Sequence, residues 1–189
     1  MINKTDFDKI RSHLEDYDKK REELIKKARD VLKISKQLIY SMHRKDMQEA
    51  DSLLKQVKKE KSALDKITSA NKRLLYEGSY SEACQEYVEA LSYHSFIKSK
   101  EIPAISSLSV SEEDYLMGIS DLTGEVTRKA VTIANKEPKE VEEIKLFVEE
   151  VFGEFLKFNL RNSELRRKSD SIKWNLKKLE ELLYDINKK

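Results

Sequence analysis

The sequence predicts an all-α protein, an elongated bundle of about six to seven helices. Only 4 of its 189 residues are glycine and 2 are proline, while 38% are charged, so few turns interrupt the chain. No segment alternates β-branched residues between turn clusters, which is the pattern of strands. We expect one domain, residues 1–189, in the cytoplasm, with neither a membrane-spanning segment nor a signal peptide. The single cysteine excludes an intrachain disulfide and a thiolate zinc site.

The first helix is predicted over about Thr5 to Met42, with Thr5 and Asp8 as a variant of the capping box. Apolar residues recur along it in steps of three and four from Phe7 onward, which is a heptad seam. A helix of this length spans ~55 Å at 1.5 Å per residue, too long for one compact domain to cover. We therefore expect an extended bundle or a self-assembling oligomer.

Five further helices follow from periodicity and start signals. Ser111 is the strongest start, because a capping serine precedes three acidic residues. Pro103 and several serines mark residues 99–111 as the main loop. The helices are predicted over about Lys45–Leu75, from Ser79 or Ser81 to Lys98, from Ser111 to Asn135, from Glu137 through Phe155, and from Asn162 or Ser163 to beyond Ile186.

Two pairs of carboxylates point to a possible active centre. Glu86 and Glu89 are three positions apart on the third predicted helix, and Asp121 and Glu125 are four apart on the fourth. These spacings place each pair on one helix face, among apolar residues that turn the face inward. Four inward acids need a counter-charge, and oxygen ligands select Mg²⁺, Mn²⁺ or Ca²⁺. The pattern predicts a hard-metal site and favours metal-assisted hydrolysis.

The alternative is that these acids are exposed and pair with lysines. Lysine and arginine are scarce in the sequence around Glu86 and Glu89, which favours the metal hypothesis. Gly124 lies inside the fourth helix, where glycine costs ~1 kcal/mol relative to alanine. Its presence there indicates close approach of another backbone or a ligand, although plain helix packing explains it as well.

A di-iron carboxylate centre is excluded by its motif, since that class needs two Glu-x-x-His sequences. None of the three histidines has glutamate three positions earlier, and we expect all three to be surface or core residues. His94 is the one nearest to a carboxylate pair in sequence.

Net charge is only +2, but an acidic middle is flanked by basic segments, as in an enzyme that binds a polyanion. Basic helix faces that are merely solvated are the alternative. Aromatic residues near these segments could stack on bases, although core packing is the better interpretation for each: Tyr76, Tyr80, Tyr93 and Trp174. The candidate phosphate contacts are Lys72, Arg73, Arg166, Arg167 and Lys168.

Several long segments resemble the translin superfamily, and the resemblance covers essentially the whole chain. It lies in EDYLMGISDLTGE at Glu113–Glu125, in FNLRNSELRRK at Phe158–Lys168, in KWNLKKLE at Lys173–Glu180, and in YDI at Tyr184–Ile186. In this superfamily translin binds single-stranded nucleic acid and lacks the full acidic set, whereas translin-associated factor X carries the acids and is the metal-dependent endoribonuclease subunit. QEYVEA at Gln85–Ala90 and DLTGE at Asp121–Glu125 are similar to the catalytic branch.

The resemblance implies a role for each candidate residue. Glu86, Glu89, Asp121 and Glu125 would be catalytic and would bind Mg²⁺ or Mn²⁺. The implied assembly is a barrel-like octamer with RNA inside. The basic C-terminal stretch is closer to translin, and with the short loop at 99–111 it indicates a prokaryotic, archaeal-type homologue that forms a homo-oligomer.

The leading hypothesis is thus a Mg²⁺- or Mn²⁺-dependent endoribonuclease that acts on single-stranded RNA. The second hypothesis is an oligomer that binds single-stranded RNA or DNA without cleaving it. The third is a helical assembly protein whose acids merely pair with lysines.

Overall fold

The computed structural model describes residues 2–161 and 164–188, and within them the chain is all-α. The described part of the chain contains six α-helices and two short 3₁₀ helices. A 3₁₀ helix at Lys72–Tyr76 follows α2 and another, Ile105–Ser107, lies in the loop before α4. The α-helices are α1 (Lys4–His43), α2 (Met47–Ala70), α3 (Gly78–Ser99), α4 (Glu112–Ile133), α5 (Pro138–Phe155) and α6 (Glu164–Asn187).

Helices α3 and α4 form the centre of the bundle. Helix α1 packs on α2 and α3, while α4 packs on α3, α5 and α6. Most of α3 is buried, including Tyr93 and Phe96, so this helix has almost no solvent-facing side. A helix covered on most sides carries any polar residue of its sequence into the interior, and α3 carries Glu89.

The first helix is buried in its C-terminal half only. Its apolar seam is covered from Leu24 to Met42, but Phe7, Ile10 and Leu14 are 55%, 55% and 50% exposed. The seam predicted along the whole helix therefore lacks a partner in its first turns within the described residues. No helix in the described ranges combines the length and the apolar character needed to cross a membrane.

Some helices begin or end at residues other than the predicted ones. Asn3, not Thr5, caps α1, because its Oδ1 accepts a hydrogen bond from the Asp6 amide at 3.4 Å. The α-helical part of α2 ends at Ala70, since Asn71 adopts an extended conformation and its side chain caps the following 3₁₀ helix.

At the other helix starts, α3 begins at Gly78 without a side-chain cap, so neither predicted serine caps it. Ser111 does cap α4, accepting from the Asp114 amide at 3.1 Å, as predicted. The expected start of α6 at Asn162 or Ser163 lies outside the described residues.

Gly118, rather than Gly124, is the glycine that close packing requires. A Cβ added to Gly118 would lie 2.6 Å from the Gln85 carbonyl oxygen and 2.7 Å from the Val88 Cβ. A Cβ at Gly124 would meet only Asn175 Nδ2, at an ordinary 3.8 Å. The close approach of another backbone thus occurs at Gly118 and not at Gly124, nearly two turns later. Gly118 lets α3 and α4 lie against each other one turn before Asp121.

Candidate metal centre

The four predicted acids line two adjoining cavities between α1, α3, α4 and α6. The first cavity, of about 460 Å³, has Glu86 and Asp121 in its wall. The second, of about 360 Å³, is lined by Glu86, Glu89 and Glu125. Glu86 belongs to both walls, so the two cavities share this residue. The packing of α3 on α4 places both pairs beside these cavities.

Glu89 is the carboxylate that burial perturbs most. It is 9% exposed, and it forms no hydrogen bond or ion pair with any other described residue. Burial, followed by the charges of Asp121, Glu86 and Glu125, raises the pKa of Glu89 to about 9, while Lys168 opposes the rise. Glu89 therefore carries a proton at neutral pH. It is an inward acid that lacks a counter-charge of its own.

Asp121 faces a lysine from the last helix. Lys168 Nζ donates to Asp121 Oδ2 and also to Gln85 Oε1, the latter at 3.1 Å. Burial raises the pKa of Asp121, and the hydrogen bond from Lys168 opposes that rise. Lys168 is half-buried in the acidic centre, whereas Arg166 and Arg167 are exposed. Lys168, one of the five candidate phosphate contacts, thus pairs with a candidate metal ligand in this structure.

Glu86 faces a lysine from the first helix. Lys36 Nζ lies 3.2 Å from Glu86 Oε1. Burial raises the pKa of Glu86, and Lys36 opposes this as the next largest cause. The scarcity of bases around Glu86 is true of its own helix but not of its surroundings, because α1 supplies the cation.

Glu125 is held by a histidine that the sequence did not single out. His43 Nε2 donates to Glu125 Oε2, and the Tyr93 hydroxyl donates to His43 Nδ1 at 3.2 Å. Arg128 lies 3.6 Å from the same carboxylate. The hydrogen bond from His43 is the largest cause that lowers the pKa of Glu125.

His94, the histidine nearest to a carboxylate pair in sequence, has a different partner. His94 Nε2 contacts Asp51 Oδ1 at 3.1 Å, away from the acidic centre. The sequence carried no signal for His43, because it lies 82 positions from Glu125 and the contact depends on where the fold places α1 relative to α4.

The four carboxylates are the type of ligand that a hard cation prefers, but their side chains are not gathered around one point in this structure. Among the described residues, no group of three or more His, Cys, Asp or Glu side chains is gathered closely enough to hold a metal ion. Asp121, Glu86 and Glu125 turn instead toward Lys168, Lys36 and His43. A divalent cation would compete with Lys168 and Lys36 for carboxylate oxygens, which are the ligands that Mg²⁺ and Mn²⁺ prefer, whereas His43 contacts only Oε2 of Glu125.

The remaining predicted RNA contacts lie outside the residues that line the two cavities. Lys72 and Arg73 are exposed on the 3₁₀ helix, where the Arg73 guanidinium lies 4.2 Å from the centroid of the Tyr17 ring. Arg166 and Arg167 are exposed on α6, and Arg166 pairs with Asp170 at 3.4 Å.

The predicted stacking aromatics divide into two groups. Tyr80 and Tyr93 are buried, as core packing predicts. Tyr76 and Trp174 are 89% and 65% exposed, so the preference for core packing is wrong for these two.

Comparison with known proteins identifies similar chains over nearly the full length. The profile of one family, described as Translin family, matches residues 19–187. An uncharacterised protein of Methanocaldococcus jannaschii is 28% identical over 171 residues, which cover 88% of this chain and 76% of that protein. Translin-associated protein X of Rattus norvegicus is 24% identical, over 95% of this chain and 77% of its own. Translin of Gallus gallus is 36% identical over 76 residues, 40% of this chain and 33% of translin.

Solved structures share the fold. The crystal structure of apo-NeC3PO superposes with a TM-score of 0.88 at 28% identity and covers 98% of both chains. AfC3PO in complex with duplex RNA superposes with a TM-score of 0.87 at 23% identity, over 96% of both chains. The helical order and packing described above are therefore those of a known architecture.

Proposed function

Because the chain belongs to the translin family, we propose that it binds single-stranded RNA and cleaves it as a Mg²⁺- or Mn²⁺-dependent endoribonuclease. The predicted membership of the translin superfamily is confirmed, and both translin and translin-associated protein X are among its relatives. The match to translin-associated protein X spans nearly the whole chain, whereas the match to translin spans less than half of it. This difference favours the catalytic branch.

The single observation that carries the proposal is the environment of Glu89. A buried carboxyl that has no bonding partner among the described residues and faces three other acids is costly for a fold to maintain. Such groups with strongly displaced pKa values in a cleft are typical of functional sites. A divalent cation would allow Glu89 to ionise and would offset its repulsion from Asp121 and Glu86.

We assign the metal ligands to Glu86, Glu89, Asp121 and Glu125. A divalent cation held by these residues would supply polarisation of a phosphoryl oxygen and activation of a water molecule. The protein contributes the four carboxylates and the positions in which α3 and α4 hold them. Glu89 holds a proton that cation binding must release.

The basic groups around the acids have separate tasks. His43 and Tyr93 fix the orientation of Glu125 through the hydrogen bonds described above. Lys168 would be freed from Asp121 by a cation and would then be available to a phosphate, as its predicted role requires.

RNA contacts would also come from exposed basic side chains, among which we retain Lys72, Arg73, Arg166 and Arg167. Lys and Arg neutralise phosphates without reading sequence, so the affinity should fall with salt. The duplex RNA named for AfC3PO belongs to that protein. For this chain, fluorescence anisotropy with labelled single-stranded RNA, single-stranded DNA and duplex RNA compares the three ligands, and we expect single-stranded RNA to bind best.

A cleavage assay tests the enzymatic proposal. A labelled single-stranded RNA is incubated with the parent chain in Mg²⁺, in Mn²⁺ and in EDTA, and products are resolved on a gel. We expect products only with metal, and none from Glu89→Gln or Asp121→Asn, although both variants still bind the RNA. Glu142→Gln, on an exposed position of α5, is the matched control and should cleave like the parent. Equal cleavage by the two site variants and the parent would overturn the catalytic assignment.

RNA binding and thermal melting, each measured with and without the divalent cation, separate the alternatives when they are added to the cleavage assay. A non-catalytic oligomer that binds single-stranded nucleic acid gives binding and no products with any divalent cation. A helical assembly protein gives negligible RNA affinity and no effect of metal on the melting temperature.

We further propose that the chain forms a homo-oligomer, with an octamer as the specific expectation. The exposed seam residues Phe7, Ile10 and Leu14 on the projecting start of α1 support self-association, since such apolar rows are normally covered. Light scattering should give a mass that is a multiple of the 22.2 kDa subunit. A monomer at micromolar concentration would contradict this proposal.

A further inference from the structure

One face of α1 carries an unbroken row of basic and aromatic side chains. Arg29, Lys33, Lys36, Tyr40 and Arg44 follow one another in steps of four, three, four and four, and all five are exposed. These steps keep the row on one side of the helix, opposite the buried side that includes Leu24 and Val31. We call these five residues the α1 basic face.

Asp30 is the only acid in the sequence between Arg29 and Arg44, and it contacts Lys27 rather than the α1 basic face. Between residues 31 and 45 the sequence has no Asp or Glu. Arg29 and Lys33 form no ion pair with any other residue in the described ranges. Helix faces that are only solvated normally mix both signs of charge in the way that the start of α1 does. A one-signed row with uncompensated members therefore points to an anionic partner.

The α1 basic face leads to the acidic centre. Lys36 contacts Glu86 at 3.2 Å. Tyr40 lines the second cavity together with Glu86 and Glu89, and Arg128 stands in the same wall. From Arg29 to Arg44 the row is about 22 Å long at 1.5 Å per residue. That length offers phosphate contacts to several consecutive nucleotides.

Tyr40 offers a flat surface beside this cavity. Its side chain is 56% exposed, and the Arg44 guanidinium lies 5.0 Å from the centroid of its ring. Arg44 is also held by Glu49, so the arginine is positioned before any ligand arrives. An exposed aromatic ring beside cationic groups is the arrangement on which unpaired bases stack.

We infer that the α1 basic face is the track on which single-stranded RNA enters the acidic centre. Arg29 and Lys33 contact the backbone, and Tyr40 stacks on a base next to the phosphate that the acids address. This inference rests on the proposed function, and it adds the path along which the RNA strand reaches the acids. A duplex does not suit Tyr40, because its bases already stack on one another and present no free face.

Fluorescence anisotropy with a labelled oligouridine strand, in EDTA so that no cleavage occurs, tests the track. The double variant Arg29→Gln/Lys33→Gln should reduce the slope of log affinity against log salt by about 1.4, that is ~0.7 for each lost phosphate contact. The control Lys58→Gln/Lys59→Gln removes the same charge from exposed positions of α2 and should leave the slope within about 0.3 of the parent. Tyr40→Ala should weaken binding about tenfold or more, while Tyr40→Phe keeps the stacking surface and the affinity.

The outcomes distinguish this inference from the proposed function. If the parent binds no oligouridine, RNA binding itself is wrong and the track falls with it. If the parent binds but both double variants behave alike, only the track is overturned. Light scattering is run on every variant, and a change of mass on Arg29→Gln/Lys33→Gln would show that this face contacts another subunit, which also overturns the inference.

Discussion

Alanine at Gly118 measures how tightly the two central helices must pack. The new Cβ would lie 2.6 Å from the Gln85 carbonyl oxygen and 2.7 Å from the Val88 Cβ, far inside the ~3.5–4.0 Å at which such atoms attract. Neither a helix backbone nor a β-branched side chain moves easily, so we expect an overpacking cost near the upper end of the usual range, ~3 kcal/mol.

Gly124→Ala is the matched control on the same helix. Both substitutions gain ~1 kcal/mol from helix propensity and from a less flexible unfolded chain, but the Cβ at Gly124 meets only Asn175 Nδ2 at 3.8 Å. We therefore expect Gly118→Ala to destabilise by ~2 kcal/mol and Gly124→Ala to stabilise by ~1 kcal/mol. The difference between the variants isolates the packing cost, because the propensity gain is common to both.

Thermal unfolding followed by circular dichroism at 222 nm in EDTA provides the assay. For a chain of this length 1 kcal/mol corresponds to about 2–4 °C. Gly118→Ala should melt about 4–8 °C below the parent and Gly124→Ala about 2–4 °C above it. A Gly118→Ala protein that melts at or above the parent temperature would refute the packing argument, and a destabilised Gly124→Ala would restore the close approach first inferred for that position.

Three other predictions concern single side chains. The pKa of Glu89 is raised to about 9 in the folded chain and is 4.5 without the fold, so between these values the native state binds a proton that the unfolded chain has lost. The free energy of unfolding should therefore fall as the pH rises from 5 to 9, by up to ~1.4 kcal/mol per pH unit. Glu89→Gln should flatten this pH dependence in EDTA, and an unchanged slope would contradict the prediction. His43→Phe removes the donor to Glu125 but keeps a ring, so calorimetric titration with Mn²⁺ should show ~10-fold or greater loss of affinity, with equal affinity as the contrary result. Ser111→Ala removes the cap that accepts from the Asp114 amide and should cost ~1 kcal/mol by denaturant unfolding; no change would mean that water replaces the cap.

Much of the fold could be predicted because its signals are local. The start of α4 at Ser111, the absence of strands from the described residues and the two inward carboxylate pairs all follow from spacing along one helix. The catalytic and metal-binding roles of these pairs remain predictions, as do the octamer and the named RNA contacts.

What the sequence by itself determined is which residues share a helix face and that the chain belongs among the translins. Only the tertiary structure decided the neighbours of each acid: Lys168 lies 47 positions from Asp121, and His43 lies 82 positions from Glu125. It also decided that Gly118 rather than Gly124 marks the contact between α3 and α4. The physical reason is that helical periodicity depends on residues three and four apart, whereas charge pairing and steric fit depend on which helices pack together.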